Sequence, residues 1–223
     1  MIYGAITQKM FNSIFALLLL ILLLPIYLLV FLLLLFFQGW PVFFYQKRVG
    51  KGFKVFNLFK YRTMRVDSNG PLITVKEDQR VTFSGKLLRR LKADELPQIL
   101  NVLVGNLNFV GPRPEVPKYV NKKDFFFLRE IKPGLTDFSS ILFANEEKVL
   151  LKLGGVNRYN DLLKIKLEVV SYYLEVKSFW VDIKILTFTI LSFHAPKTIN
   201  KMIKKEINKK KPALIKKITD IGI

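Results

Sequence analysis

The stretch LLLLILLLPIYLLVFLLLL, residues 17–35, reads as a membrane-embedded helix with a proline at its middle. From Ile14 to Phe37 only Pro25 and Tyr27 interrupt an apolar run of 24 residues, which as one helix would rise about 36 Å against the roughly 30 Å of hydrocarbon in a bilayer. Length therefore permits a span. Pro25 divides the run into two arms of about 17 Å each, and neither arm crosses alone. Inside a helix, proline removes a donor and clashes with the preceding turn at a cost of about 3 kcal/mol. In lipid the carbonyl of Ile21, freed in this way, needs another partner. Membrane helices tolerate proline, so a kinked span is the simpler reading of these residues by themselves, and a hairpin is the alternative. The run is too long for a signal-peptide core and carries no small-residue cleavage site, so it is expected to stay on the protein.

Charge sets the orientation. Lys9 is the only basic residue before the run, whereas Lys47, Arg48, Lys51 and Lys54 follow it closely, and this bias places the remainder in the cytoplasm. Between run and cations lie Trp40, Phe43, Phe44 and Tyr45, the composition of an interfacial belt. Across the chain, 36 Lys+Arg against 17 Asp+Glu give a formal charge of +19. That charge points to phosphate-bearing partners, and the apolar segment favours anionic lipid over nucleic acid. The chain has no cysteine, which excludes a disulfide framework, a thiolate nucleophile and Cys-based metal sites. Its one histidine, His194, follows an apolar run and precedes Pro196, as a residue at a helix end would. About 180 residues beyond the apolar segment suit one domain. The organisation expected is a membrane segment at 1–40, a cytosolic domain at 41–195 and a basic tail at 196–223.

After the turn-rich DSNGP at 67–71 comes FSGKLLRRLKADELPQILNVLVGNLNFVGPRPE, residues 83–115. Leu87, Leu88 and Leu91 share a helical face among Lys86, Arg89, Arg90 and Lys92, a basic amphipathic pattern suited to a membrane surface. A loop at Lys132–Gly134 leads to NEEKVLLKL, residues 145–153, and to an apolar helical pattern over 164–191 with β-branched residues near its end. In the tail, Ile199, Met202, Ile203 and Ile207 fall on one face with lysine around them. This reads as an interfacial basic helix ended by Pro212, or equally as a solvated tail.

The chemistry concentrates at Asp94 and Glu95. An adjacent acidic pair ahead of LPQILNVL, with Pro97 in the first turn, is most simply a helix start. Its company argues for more: Arg89, Arg90 and Lys92 precede the pair, Arg113 follows in GPRPE, and Lys60 and Arg62 stand in FKYRTM. Two carboxylates among cations suit phosphoryl transfer, with one attacking phosphorus and the other binding a divalent ion such as Mg²⁺. Side chains at adjacent helical positions diverge by about 100°, so both can serve one site only at a helix end.

With these residues in view, the chain resembles the bacterial sugar transferases, monotopic phosphoglycosyl transferases that begin glycan assembly on polyprenyl phosphate. The blocks that carry the resemblance are YQKRVGKGF with FKYRTM, DQRVTFSGKLLRR, DELPQILNVLVGNLNFVGPRPE, IKPGLT and YYLEVKSFWVDIKIL, spread over residues 8–192. The resemblance implies a mainly α fold with minor β: a proline-broken re-entrant membrane helix turning near Pro25, then a cytoplasmic domain with interfacial amphipathic helices. It implies the small, single-function form of the family at the bacterial inner membrane, with its catalytic domain on the cytoplasmic face. It also implies transfer of a sugar 1-phosphate from a UDP-sugar to undecaprenyl phosphate with release of UMP. Asp94 would be the nucleophile and Glu95 the Mg²⁺ ligand. Lys60, Arg62, Arg89 and Arg113 would hold phosphate or nucleotide in a loop shaped by Pro112 and Pro114, and Asp78 with Arg80 would form a structural ion pair. The chain departs from the family pattern in Leu24 before the proline, where a serine is usual, in Asn12, where an acidic residue is common, and in LTDFSSILFANEE, where many members carry glycine, tryptophan and glutamine.

Two other functions fit parts of the sequence. A non-catalytic scaffold would use the basic faces to hold anionic lipid, and a membrane-tethered nucleic-acid binder is suggested by charge alone.

Overall fold

Proline at position 25 ends one helix and begins another. The computed structural model describes residues 5–66 and 78–223; the turn expected at 67–71 lies outside the described residues. Helix α1 (Ala5–Leu22) and helix α2 (Leu24–Gln38) meet at Leu23 with their axes bent by 61°. Pro25 occupies the first turn of α2, where its missing N–H has no intrahelical partner to lose. Among the described residues no single helix is long and apolar enough to cross a membrane, and only the bent pair together reaches that composition.

The bend turns one stripe of both arms toward the rest of the chain. Asn12, Ala16, Val30 and Leu34 are buried, with Leu19, Leu20, Leu23, Tyr27 and Phe31 partly so, while Leu18, Leu22, Leu29 and Phe36 stand exposed on the outer side. Polar bonds fix the inner stripe. Asn12 Nδ2 donates to Asn108 Oδ1 at 2.9 Å, Tyr27 OH to the Leu96 carbonyl at 2.6 Å, and Tyr61 OH to the Tyr27 carbonyl at 3.1 Å. The departure at Asn12 thus has a partner: a neutral amide answered by a second amide.

Beyond the arms, β1 (Phe43–Val49) and β2 (Val55–Tyr61) form an antiparallel hairpin with Phe43 opposite Tyr61. Helix α3 (Phe83–Arg90) and helix α4 (Gln98–Leu103) follow, then β3 (Asn108–Val110), which pairs in parallel with β4 (Gly134–Thr136). Six helices complete the chain: α5 (Phe138–Leu142), α6 (Glu146–Leu153), α7 (Tyr159–Val176), α8 (Phe179–Ser192), α9 (Pro196–Asn208) and α10 (Pro212–Asp220). Phe138, Leu150, Leu162, Tyr173 and Ile185 are fully buried at their centre.

Three expectations change in detail. The pattern over 164–191 is two helices, because Ser178 interrupts it and caps α8 by accepting from Val181 N at 3.3 Å. On α3 only Leu88 turns inward; Leu87 and Leu91 join Phe83 in an exposed apolar row at four-residue spacing. In the tail, Pro212 starts α10 rather than ending α9, as its fixed φ favours. Ile199, Ile203, Ile207, Leu214 and Ile218 pack into the core shared with α5, α7 and α8, so the apolar stripe of the tail is consumed by the domain itself.

Truncating Ile203, 0 % exposed, should therefore cost about 2–5 kcal/mol. Urea unfolding of Ile203→Ala in detergent would measure the loss, and unchanged stability would mean that the tail is not docked.

Candidate active site

A change of backbone hand presents the acidic pair. Helix α3 ends at Arg90, and Lys92 adopts φ 55° and ψ 16°, a left-handed conformation that costs a side-chain-bearing residue of order 1 kcal/mol or more and is found where surroundings enforce it. The next three residues, Ala93–Glu95, make one 3₁₀ turn, and Pro97 caps α4. Asp94 and Glu95 thus precede α4 in a tight turn of their own instead of lying in its first turn.

Asp94 is 7 % exposed, and its Oδ1 is buried without a hydrogen-bond partner. Burial pushes its carboxyl above the usual carboxylate range, against the pull of the Lys60 charge. Glu95 is fully engaged. Arg113 grips it with both nitrogens, Nη2 to Oε1 at 2.5 Å and Nη1 to Oε2 at 3.3 Å, and Lys60 Nζ lies 3.6 Å from Oε1. Burial acts to raise Glu95, but the charges of Arg113 and Lys60 outweigh it and hold the carboxyl below its usual range. Burial in turn draws the Lys60 ammonium down, opposed by Glu95.

Each partner arrives from a different element. Lys60 comes from β2, opposite Phe44. Arg113 comes from the loop after β3, which is laced to β4 by Gly111 N to the Thr136 carbonyl and by Gly134 N to the Pro112 carbonyl, both at 3.0 Å. A Cβ on Gly134 would stand 2.2 Å from Gly111 N, so the glycine of IKPGLT is what lets the Arg113 loop close. Pro114 offers its carbonyl to Arg48 Nη1 at 3.1 Å, and the Pro112 carbonyl accepts from Gly134 N in the same loop.

Arg89 donates through Nε to Thr63 Oγ1 at 3.0 Å and lies 3.3 Å from Glu147 Oε1 through Nη1. The backbone carbonyl of the same Thr63 accepts from Thr82 Oγ1 and approaches Gly85 so closely that a Cβ there would stand 2.1 Å away. FKYRTM and FSGKLLRR are therefore two halves of one joint. Arg62, expected with the phosphate ligands, is turned elsewhere: its Nη2 donates to the carbonyls of Gln38 at 2.5 Å and Gly39 at 2.9 Å. It closes the carbonyl-rich end of α2 and is bonded to neither carboxylate. Asp78 and Arg80 form the expected ion pair at 2.6 Å.

Sequence reading did not single out Glu147, Thr63 or Glu115. Glu115 anchors the cluster from behind, accepting from Arg48 at 2.9 Å, Val116 N at 2.7 Å and Tyr159 OH at 2.6 Å. Glu147 lies in LTDFSSILFANEE, and that departure from the family pattern was the available signal. Tyr27 had one as well, as the only polar side chain within the apolar run.

Among the described residues no cage of three or more metal-ligating side chains forms. Mg²⁺ is commonly held by one or two carboxylates with substrate phosphates and water completing the shell. Glu95 would hold such an ion through oxygens that already accept from Arg113 and face Lys60, so the ion would share that carboxylate with the two cations.

The site thus joins a buried carboxylate lacking a hydrogen bond at one oxygen, with Lys60, Arg89 and Lys92 acting on its charge, to a second carboxylate paired with Lys60 and Arg113. The chain belongs to the bacterial sugar transferase family, whose model matches residues 3–195. It is 36 % identical over 157 residues to a UDP-N-acetylgalactosamine–undecaprenyl-phosphate N-acetylgalactosaminephosphotransferase of Aeromonas hydrophila, covering 67 % of this chain and 34 % of that protein. It is 40 % identical over 158 residues to the uncharacterized sugar transferase EpsL of Bacillus subtilis, covering 68 % of this chain and 69 % of the relative. A UDP-glucose:undecaprenyl-phosphate glucose-1-phosphate transferase of Xanthomonas campestris is 36 % identical over 166 residues, covering 71 % and 32 %. The chain thus spans about a third of the length of the Aeromonas and Xanthomonas relatives.

The burial of Asp94 gives a stability prediction. Its folded-state carboxyl lies above its unfolded value, so the charged form costs stability at neutral pH, and the cost vanishes as pH falls through the folded value. Asp94→Asn should be more stable than wild type at pH 8, with the advantage fading in acid. Urea melts at the two pH values test this, and an Asn variant weaker at pH 8 would contradict it.

Proposed function

We propose that this protein transfers a sugar 1-phosphate from a UDP-sugar to polyprenyl phosphate, giving a polyprenyl-diphosphate sugar and UMP. The single observation that carries the reading is Asp94: buried, without a hydrogen bond at one oxygen, and under the charges of Lys60, Arg89 and Lys92 beside an ion-paired glutamate. In the first half-reaction an Asp94 oxygen attacks the phosphorus that bears the sugar. The bond from that phosphorus to the bridging oxygen breaks, and UMP leaves with the electron pair. In the second, an oxygen of polyprenyl phosphate attacks the same phosphorus and the Asp94 carboxylate is released.

Desolvation makes the carboxylate more basic and more reactive. Arg89, Lys60 and Arg113 supply the fixed positive charge that a diphosphate needs while it is being attacked. Arg113 and Lys60 also keep Glu95 ionised, available to a Mg²⁺ ion that would offset the diphosphate charge when bound. For the substrate to enter, Arg89 exchanges Glu147 for phosphate, which makes Glu147 a counter-ion in the resting site. The names of the Aeromonas and Xanthomonas relatives support undecaprenyl phosphate and UDP-sugar as the substrate classes.

The reading includes a topology: α1 and α2 enter and leave one leaflet of the bacterial inner membrane, and the rest of the chain lies at its cytoplasmic face. What supports it is the docking of both arms on one domain, from Asn12 to Gln38. A straight span would carry Asn12 away from that domain, not into a bond with Asn108.

With purified protein in detergent or nanodiscs, UDP-sugar, polyprenyl phosphate and Mg²⁺, UMP should appear. Asp94→Asn should reduce its rate by at least 10³-fold, as loss of a nucleophile does. A scaffold would release no UMP with any donor, and an Asn variant at full rate would remove Asp94 from the chemistry. Because the chain lacks cysteine, Tyr3→Cys reports topology cleanly. An impermeant maleimide should label it only from the cytoplasmic side, and labelling from outside would mean a span.

A further inference from the structure

The family match ends at residue 195, yet the chain goes on into two ordered helices. Their construction is lopsided. Ile199, Ile203 and Ile207 face the domain and are 3 %, 0 % and 0 % exposed. Lys197, Lys201, Lys205 and Lys209 recur every four residues and are all exposed, and at 100° per residue their row lies about 180° round the helix from the isoleucines. The domain's nearby carboxylates are already taken: Glu206 by Lys184 at 3.1 Å, Glu168 by Lys217 at 2.6 Å, and Glu175 by Lys211. These pairs lock α9 and α10 onto α7 and α8, and the outer row of lysines enters no ion pair among the described residues. Like charges four residues apart on a helix repel, so the row costs the isolated fold stability and gains only when an anion covers it.

The apolar side chains exposed on the same pair of helices point to the kind of anion. Helix α8, against which α9 packs, leaves Trp180, Ile190 and Phe193 exposed, and Met202 of α9 is exposed as well. Exposed aromatic and aliphatic side chains on the same helix pair as a lysine row suit the headgroup level of a bilayer, where the apolar groups enter and the ammonium groups meet phosphate. Nucleic acid would answer the charge and stack on Trp180 or Phe193, but it offers nothing to the exposed aliphatic Ile190 and Met202.

We infer that α9 is a docking surface for anionic phospholipid headgroups, set against the same leaflet that receives α1 and α2. The inference rests on the topology proposed above. It differs from an ordinary amphipathic helix, since the buried isoleucine stripe holds α9 to the protein and the lysine face alone meets the lipid.

The test places an environment-sensitive dye at Thr198→Cys, exposed between the lysines, and at Leu29→Cys on the outer side of α2, in the full chain reconstituted into vesicles. The Thr198 dye should respond several-fold more in phosphatidylcholine vesicles containing phosphatidylglycerol than in phosphatidylcholine alone. High salt, and the combined substitution of Lys197, Lys201, Lys205 and Lys209 by Gln, should abolish that difference. The Leu29 dye should report an apolar surrounding in both vesicles. Equal Thr198 responses in the two vesicles, or a response that survives the glutamine variant, would overturn the inference while leaving the topology standing. A larger Thr198 response to single-stranded DNA than to anionic vesicles would overturn it in favour of nucleic acid. A Leu29 dye that stays in water would sink both.

Discussion

Everything in this site depends on the grip of Arg113 and Lys60 on Glu95. Each cation comes from a separate part of the chain, one from the β hairpin and one from the loop behind β3, and they converge on a single carboxylate in a one-turn linker. A partly buried ion pair of this kind is weak evidence for stability, because desolvating the charges offsets much of their attraction. Its consequence is positional. It fixes the turn that carries Asp94 and keeps positive charge beside a carboxylate that has too few hydrogen bonds of its own.

The broken helix is coupled to that turn directly. Tyr27, two residues past Pro25, donates to the carbonyl of Leu96, the residue after Glu95. Arg62 closes the other end of α2 from the strand that supplies Lys60. The bend at Leu23 and the acidic turn are therefore parts of one assembly, joined through the inner stripe of the arms. A straight helix of the same composition could not make both bonds.

Much of this was legible in the residues. The helical pattern of α3, the break at Pro25, the loop around Pro112 and Pro114, and the cations near Asp94 all follow from local chemistry and motif spacing. What escaped reading depends on long-range pairing. Arg62 and Arg113 look alike in sequence as arginines in short motifs; only the packing of α2 against the hairpin sends one to backbone carbonyls and the other to Glu95. The tail misled because its apolar stripe has the same period whether a membrane or the protein's own core covers it. Ser178 broke a pattern that periodicity alone read as one helix, and Glu147 stayed hidden because an acidic residue in a first turn is ordinary.

The most direct test of the account is intact and peptide mass spectrometry of protein incubated with UDP-sugar and Mg²⁺ without acceptor, then quenched. The account predicts an added sugar phosphate on the peptide containing Asp94, absent from Asp94→Asn and discharged when polyprenyl phosphate is supplied. UMP release with no adduct on that peptide, or an adduct that persists in the Asn variant, would contradict it.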